Sequence, residues 1–402
     1  MFKCITLFVF ALLILPNQLL AQKYAIKADL VHTMSGQAIE QGIVLVSDGK
    51  IERVGTQSRI SVPDGYEILE AAVVTPGLID ARSVVGLNGI FNYEHDQDAL
   101  DTSRPIQADL RAFDAYNPRE ALVDWIRRLG VTTVHTGHAP GALVSGQTML
   151  IKTDGNNNLG ESILDSTVTL AMTLGASVGR NFNSPGTRSK GVALLRSELY
   201  AAQEYKNRQN SDNPPARDLN KEALADVLRG ETKALITANR ATEIMTALRI
   251  AREFDIEIIL DGAAEAFLLI DEIKEAGVPV FIHPTMVRTG GEMQSASFTT
   301  AGKLHAAGIP VFFQSGYEGY VPKTRVVLYE AAIAMVNGFG YDETLAALTI
   351  DAARFFGVDD RIGSLEAGKD ADIVLFNGDP FEYTSNVCTV LINGRIVSDT
   401  CL

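Results

Sequence analysis

The chain has 402 residues, of which 49 are Asp or Glu and 35 are Lys or Arg, so its formal net charge is −14. This acidic balance argues against nucleic acid and anionic membrane surfaces as partners, because both bind clustered positive charge. Beyond the N-terminal segment, the sequence has no stretch long and apolar enough to predict a membrane span.

Residues 1–21 have the pattern of a secretory signal peptide. Lys3 supplies a positive charge, residues 5–15 form an apolar stretch, and a small-residue end at Ala21 precedes Gln22. A membrane anchor is the alternative, but the apolar run is too short to span a bilayer comfortably. We expect an exported protein, periplasmic or secreted, whose mature chain carries 34 basic and 49 acidic residues, a net charge of −15.

Both ends of the mature chain are rich in short strands. The patterns predict strands at 25–31, 42–46, 50–54, 371–376 and 390–392. Asp48-Gly49 and Asn393-Gly394 are dipeptides typical of hairpin turns.

Between the two ends, apolar strands alternate with helical segments, which is the pattern of a parallel α/β sheet. Strands are predicted at 77–81, 131–136, 147–152, 168–173, 234–238, 256–261, 279–283 and 310–314, and helices at 120–129, 242–254 and 271–276. Eight strand–helix units over about 280 residues suit a closed (β/α)8 barrel. An open doubly wound sheet is the alternative, and the absence of a Gly-x-Gly-x-x-Gly turn after an early strand weakens it.

Two cysteines, Cys388 and Cys401, remain in the mature chain and flank the predicted Asn393-Gly394 turn. Mirror pairing about that turn places residue 388 opposite residue 399, so Cys401 lies one diagonal step away. An oxidising compartment would permit a disulfide between them, and two surface thiols are the alternative.

Several motifs in combination resemble the metal-dependent amidohydrolase superfamily, nearest to its secreted imidazolonepropionase-like and prolidase-like branch. The stretch Val74-Thr-Pro-Gly-Leu-Ile-Asp-Ala81 is similar to the entry to the first barrel strand. Residues 363–376, followed by Gly378-Asp-Pro380, are similar to the return into a small β domain. The resemblance implies a TIM-like barrel over residues 75–360 and a β-sandwich domain built from residues 22–74 and 361–402. It also implies a hydrolase acting on non-peptide, dipeptide or cyclic-amide C–N bonds.

The same resemblance places metal ligands at the C-terminal ends of the barrel strands: a His-x-His pair, a carboxylated Lys, two more His and an Asp. The positions that match them hold Arg82 and Val84, Ala171, Thr237 and Asn239, Asp261 and Gly262, and Ser315 or Gly316. Zinc needs about four N, O or S ligands, whereas Arg stays cationic and Val offers no lone pair. We therefore predict a site without metal or other cofactor, in which no metal-bound water is available for hydrolysis.

Nine polar residues are nevertheless expected at or near the C-terminal face of the barrel. Six are predicted to bind a small-molecule ligand: Arg82, Thr237, Asn239, Arg240, Gln314 and Tyr317. Three are candidate catalytic groups: His135, Asp261 and His283. A single polar residue at a strand end more often has a structural role, hydrogen-bonded within the loops, than a functional one. Arg82 with Arg240 could hold a carboxylate or phosphate, and an ion pair of Arg82 with Asp261 that fills the metal volume is the inert alternative.

A relocated zinc site is a further alternative. His135 and His138 lie three apart at a strand end, and His95 is flanked by two acidic residues. Strand geometry directs positions 135 and 138 to opposite faces unless the backbone turns at Gly137. The acidic segment 94–98 is better interpreted as a solvated loop.

Three functions from different classes remain. The first is an exported, metal-free homologue that binds a small ligand or partner without turnover. The second is a working C–N hydrolase with zinc at a non-standard site or with metal-independent acid–base groups. The third is a structural subunit that pairs with an active homologue. Barrels of this family often associate, so a homo-oligomer is also considered.

Overall fold

The computed structural model describes residues 22–91, 93–209, 211–285, 290–317 and 327–401. The predicted signal peptide lies outside the described residues. Within these ranges, none of the helices combines the length and the apolar character that crossing a membrane requires.

The described residues form two sheets and a set of surrounding helices. The strands are β1 (Tyr24–Val31), β2 (Ile39–Ser47), β3 (Lys50–Thr56), β4 (Glu67–Pro76), β5 (Leu78–Ser83), β6 (Val131–Gly137), β7 (Val144–Lys152), β8 (Ile163–Asp165), β9 (Thr169–Thr173), β10 (Lys233–Ala238), β11 (Ile258–Gly262), β12 (Val280–Ile282), β13 (Val311–Phe313), β14 (Ile373–Phe376), β15 (Val387–Ile392) and β16 (Arg395–Asp399). The helices are α1 (Ala112–Ala115), α2 (Ala121–Arg128), α3 (Leu159–Ser162), α4 (Ala176–Asn181), α5 (Arg188–Arg208), α6 (Leu219–Leu228), α7 (Ala241–Phe254), α8 (Ile270–Ala276), α9 (Thr300–Ala306), α10 (Val327–Ala334), α11 (Tyr341–Ala347) and α12 (Ile350–Phe355).

Both ends of the chain contribute to a seven-stranded sheet, in the order β16-β15-β14-β4-β1-β2-β3. The N-terminal and C-terminal parts meet where β14 pairs antiparallel with β4. Alternate residues of β1, such as Tyr24 and Ile26, are buried and pack with Val44, Ile373 and Leu391 in one apolar cluster. This two-residue period is what directs one face of each strand to a core.

The β15–β16 hairpin carries the two cysteines, which are joined by a disulfide. A register shift between Val390 and Leu391 makes residue 389, rather than 388, the partner of Asp399. The extra residue on β16 moves Cys388 one position closer to Cys401 than mirror pairing about the turn predicts. A bulge of this kind cannot be inferred from the positions of the turn residues alone.

Eight strands, β5, β6, β7, β9, β10, β11, β12 and β13, form a nearly closed barrel. The two ends of this sheet meet where Ser83 and Gly316 form a bridge, and the Gly316 amide donates to the Arg82 carbonyl at 3.2 Å. Each of the eight predicted barrel strands overlaps one of these strands. The predicted combination of a TIM-like barrel with a small β domain is therefore confirmed.

One barrel strand, β7, differs from the expected parallel arrangement, because it runs antiparallel to both β6 and β9. Residues 138–143 alone connect β6 to β7. A parallel crossover needs about a dozen residues or more, whereas this connection suffices only for a hairpin. The C-terminal end of β7 therefore points away from the barrel mouth.

Lys152, at the end of the antiparallel strand β7, lies against the seven-stranded sheet. The Lys152 ammonium is buried and lies 2.8 Å from Asp370 and 2.9 Å from Asp372, and it donates to Asn393 Oδ1 at 2.6 Å. A buried charge is tolerated only when it is paired and hydrogen-bonded. This cluster therefore fixes the barrel to the sheet through residues more than 200 positions apart.

The barrel interior is filled by side chains at alternate strand positions. Leu235, Ile259, Phe281 and Phe312 form part of one apolar layer, and Phe281 packs edge-on against Phe355, at the end of α12, at a centroid distance of 5.3 Å. Because successive inward positions are two residues apart, the next layer toward the mouth consists of residues two further along each parallel strand. That next layer is polar.

Candidate functional site

The polar layer at the barrel mouth is organised around Asp261, at the end of β11. Its two carboxylate oxygens accept hydrogen bonds from the neighbouring strands, one from Thr237 Oγ1 at 2.5 Å and the other from Gln314 Nε2 at 2.7 Å. Gln314 Nε2 also donates to the Phe281 carbonyl at 2.8 Å. All three side chains are buried. The ends of β10, β11 and β13 are thereby joined by one hydrogen-bonded group.

Arg82 lies in the same mouth and is only 1% exposed. Its terminal nitrogens donate to two backbone carbonyls, to Ser83 O at 2.8 Å and to His138 O. Burial lowers the pKa of Arg82, and the negative charges of Asp261 and Asp80 oppose that shift. The guanidinium is thus a buried cation held by carbonyl dipoles and by nearby carboxylates, and Nε is its one nitrogen without a hydrogen-bond partner among the described residues.

Asn239, His283 and Tyr317 complete the rim of the mouth. A Cβ placed on Gly262 would come within 2.6 Å of Asn239 Oδ1 and 3.4 Å of Tyr317 Oη, so these two polar atoms flank the same glycine. Gly262 has φ +79°, a conformation that glycine adopts without strain. The ring of Tyr317 lies 5.5 Å from the ring of His283. The glycine leaves room for both side chains above β11.

His135 lies inside the barrel rather than at the open rim. Its Nδ1 is 2.7 Å from the Ala81 carbonyl, and its Nε2 is 2.6 Å from Thr148 Oγ1. Burial, and then the charge of Arg82, lower the pKa of His135 to about 3. A neutral imidazole with both nitrogens engaged stabilises the packing of β5, β6 and β7, and it has no lone pair left for a metal or a substrate.

His138 follows β6 and is also buried. Burial, and then the charge of Arg82, lower its pKa to about 4, while the nearby carbonyls of Ala99 and Asp98 oppose the shift. His95, by contrast, is mostly exposed and stacks on Tyr93. Among the described residues, no group of three or more His, Cys, Asp or Glu side chains is placed to hold a metal ion.

The structure thus brings seven of the nine predicted site residues together: Arg82, Thr237, Asn239, Asp261, His283, Gln314 and Tyr317. His135 lies deeper. Arg240 is exposed beside the mouth, immediately before α7, where it lines a separate cleft.

Three buried polar atoms of the mouth have no hydrogen-bond partner within the described part of the chain: Arg82 Nε, Asn239 Oδ1 and Gln314 Oε1. The orientation of the Gln314 amide is fixed, because its nitrogen faces two acceptors, Asp261 and the Phe281 carbonyl. The mouth therefore presents one donor and two acceptors that a bound molecule or water can satisfy.

Comparisons with known proteins agree with this geometry. The sequence profile described as "Amidohydrolase family" matches residues 258–397. A solved amidohydrolase from Thermotoga maritima is 29% identical to this chain and superposes with a TM-score of 0.86. The superposition covers 94% of this chain and 100% of the Thermotoga maritima chain. Residues 258–397 therefore carry an amidohydrolase family domain, and the whole chain has the amidohydrolase fold.

Curated relatives extend this similarity over most of the chain. The amidohydrolase tasK of Hapsidospora irregularis is 25% identical over 89% of this chain, which spans only 40% of that longer protein. The imidazolonepropionase of Streptococcus gordonii is 23% identical over 88% of this chain and 90% of its own. A solved prolidase in complex with N-methylphosphonate-L-proline, 16% identical with a TM-score of 0.59, shares the fold.

The superfamily's metal positions can be tested against the side chains present. Val84 belongs to an apolar cluster, and Ala171 has no donor atom. Thr237 Oγ1 is engaged with Asp261, which is the one carboxylate among these positions. Arg82 adds a buried positive charge that interacts with Asp261, and this charge would repel a divalent cation bound there. This donor set does not fit a zinc centre.

The resemblance matches the last ligand position to Ser315 or Gly316, and the structure gives Ser315 a different partner. Its amide donates to Asp80 Oδ1 at 3.0 Å and its hydroxyl donates to Asp80 Oδ2, so it joins β5 to the segment after β13. Gln314 is the inward-facing residue there. The role of Asp80 was missed from the sequence, although a carboxylate inside an apolar strand is a signal that it has a buried partner.

Proposed function

We propose that this exported protein, a hydrolase by family, binds a small polar molecule in its barrel mouth without a catalytic metal and without turnover. The observation that carries the proposal is the set of unsatisfied buried atoms Arg82 Nε, Asn239 Oδ1 and Gln314 Oε1. A ligand that supplies partners for these atoms forms hydrogen bonds that the described residues do not make, each of which contributes about 0.5–1.5 kcal/mol net.

The arrangement binds and orients a ligand but offers little for hydrolysis. Arg82 Nε would donate to a ligand oxygen, while the two amide oxygens would accept from ligand N–H or O–H groups. Asp261 already accepts a hydrogen bond on each carboxylate oxygen, so fewer of its lone pairs remain to take a proton from water. A group held in this way orients the mouth and is a poor general base.

A working hydrolase is the second candidate, and the proximity of Asp261 and His283 supports it. They end the adjacent strands β11 and β12, which pair in parallel. In that case His283 would exchange protons with the reacting groups, and the half-buried Tyr317 beside it would position them. No specific feature of the described residues favours the third candidate, a structural subunit that pairs with an active homologue.

Export is part of the proposal. The Cys388–Cys401 disulfide supports it, because disulfides persist in oxidising compartments outside the cytosol. The predicted signal peptide supports it independently.

Two measurements on the purified mature protein test the proposal. Incubation with zinc or manganese, dialysis and elemental analysis should leave metal well below one ion per chain. A thermal-shift screen of small amides and carboxylates should find compounds that raise the melting temperature, and chromatography should recover those compounds unchanged. Near-stoichiometric metal that survives dialysis, or conversion of a bound amide, would favour the hydrolase instead.

Variants locate the bound compound. Replacing Asn239 or Gln314 by Ala removes one hydrogen bond each and should weaken binding by about three- to tenfold. Gln203→Ala removes the same kind of amide from an exposed position on α5 and should leave the affinity unchanged. Equal affinity in all variants would place the ligand outside the mouth.

A further inference from the structure

A cleft of about 350 Å³ opens beside the barrel mouth, between the segment that follows β9 and the start of α7. Its volume is at the lower end of the range of small-molecule sites. One wall is apolar and includes Leu143, Leu174 and Val178. Four charged residues lie around it: Arg188, Arg240, Glu243 and Glu292. None of the mouth residues Thr237, Asp261 or Gln314 lines this cleft, so the inference is independent of the function proposed above.

Glu243 is fully engaged by its surroundings. Its Oε2 accepts from the backbone amides of Asn239 at 3.2 Å and Arg240 at 3.1 Å. Its Oε1 lies 3.4 Å from Arg188 Nη1, which also donates to Thr242 Oγ1 at 3.1 Å. The charge of Arg188 is therefore compensated within the protein, and the buried carboxylate serves to begin α7.

Glu292 reaches the cleft from the segment after β12. Its carboxylate accepts a hydrogen bond from the Ala176 amide. It also packs on Gly175, where a Cβ would come within 2.9 Å of it. This contact closes one side of the cleft.

Arg240 differs from the other three. Its side chain is exposed and makes no hydrogen bond or ion pair with the described residues, yet it lines the cleft. A guanidinium beside an apolar wall fits a ligand with an anionic head and a short apolar tail, because the planar N–H groups of Arg match a carboxylate. We propose that this cleft binds a short aliphatic carboxylate, with its head on Arg240 and its tail against Leu174 and Val178.

The proposal is tested by isothermal titration calorimetry of the mature protein at constant ionic strength with hexanoate, acetate and hexanol. Hexanoate should bind at one saturable site. Acetate lacks the tail and hexanol lacks the charge, so both should bind at least about tenfold more weakly. Equal binding of hexanol and hexanoate, or no binding of hexanoate, would overturn the proposal.

Matched variants separate this cleft from other sites. Arg240→Gln removes the exposed guanidinium and should weaken hexanoate binding by about ten- to a hundredfold. Arg252→Gln removes the same charge from another exposed position on α7, away from the cleft, and should change the affinity less than about twofold. Equal losses in the two variants would show that net charge alone attracts the anion. A loss in Gln314→Ala with none in Arg240→Gln would place hexanoate in the barrel mouth and refute the assignment.

Discussion

Replacing Arg82 by Met is the most direct perturbation of the barrel mouth. Met keeps a long unbranched side chain but removes the charge and the N–H donors. The carbonyls of Ser83 and His138 would each lose the donor they now have. The electrostatic interaction between Arg82 and Asp261 would also be lost.

The size of the effect follows from those contacts. Each buried carbonyl left without a donor costs about 1–3 kcal/mol. Removing the guanidinium also removes its own desolvation cost, which offsets part of that loss. We therefore expect Arg82→Met to lower the free energy of unfolding by about 2–4 kcal/mol.

The same substitution has a second, electrostatic consequence. The charge of Arg82 contributes to the lowered pKa values of both His135 and His138. In Arg82→Met the pKa of His138 should rise from about 4 toward its ordinary value, because burial alone then opposes protonation.

Urea unfolding at neutral pH measures the stability change, and NMR titration of the histidine ring protons measures the pKa. A double-mutant cycle of Arg82→Met with Asp261→Asn isolates the interaction between the two charges, since the second loss should be smaller once the first charge is gone. Unchanged stability together with an unchanged pKa of His138 would refute the placement of Arg82 described above.

Two further predictions concern stability. In the folded state the pKa values of His135 and His138 are about 3 and about 4, below the unfolded value near 6.5, so the unfolded chain takes up protons first as the pH falls. The free energy of unfolding should therefore decrease from about pH 6.5 downward, by about 2 kcal/mol per histidine near pH 5. An unfolding midpoint that stays constant over this pH range would contradict the prediction. Lys152→Met leaves Asp370 and Asp372 buried without their shared cation and should cost about 3–5 kcal/mol in urea unfolding, whereas an unchanged midpoint would show that this cluster does not hold the barrel to the sheet.

Exposed residues of the same type provide the controls. His95→Gln should change the free energy of unfolding at neutral pH by no more than about 0.5 kcal/mol, because that side chain is mostly in solvent. Lys274→Met, on the exposed side of α8, should change the free energy of unfolding by no more than about 0.5 kcal/mol.

Most of the fold could be predicted from the sequence, and the exceptions have physical causes. Each of the eight barrel strands is an apolar run, and such runs are local signals that do not depend on partners. Strand direction is not local: β7 was expected to be parallel, but its direction is set by the short connection of residues 138–143. The hairpin turn at Asn393-Gly394 was predicted, but the bulge that shifts the pairing of Cys388 was not.

The positions of most candidate site residues could also be predicted from the sequence, whereas their hydrogen-bond partners could not. Motif resemblance and strand ends were enough to place Arg82, Thr237 and Asp261 at one barrel face. The partner of each side chain could not be predicted, because a hydrogen bond joins atoms whose residues are far apart in the chain. Asp80 and Ser315, for example, are 235 positions apart.

The sequence by itself determined that this chain folds as an amidohydrolase-type barrel, and it predicts that other residue types occupy the matching ligand positions, because both inferences rest on residue identity and short-range spacing. Only the tertiary structure decided what those residues do. It gives Arg82 two backbone carbonyls, engages both oxygens of Asp261, and buries His135 beneath the mouth. It also leaves the Arg240 side chain without a partner among the described residues, beside a second cleft. Burial and hydrogen-bond partners depend on which distant strands meet, and that is fixed only when the barrel closes.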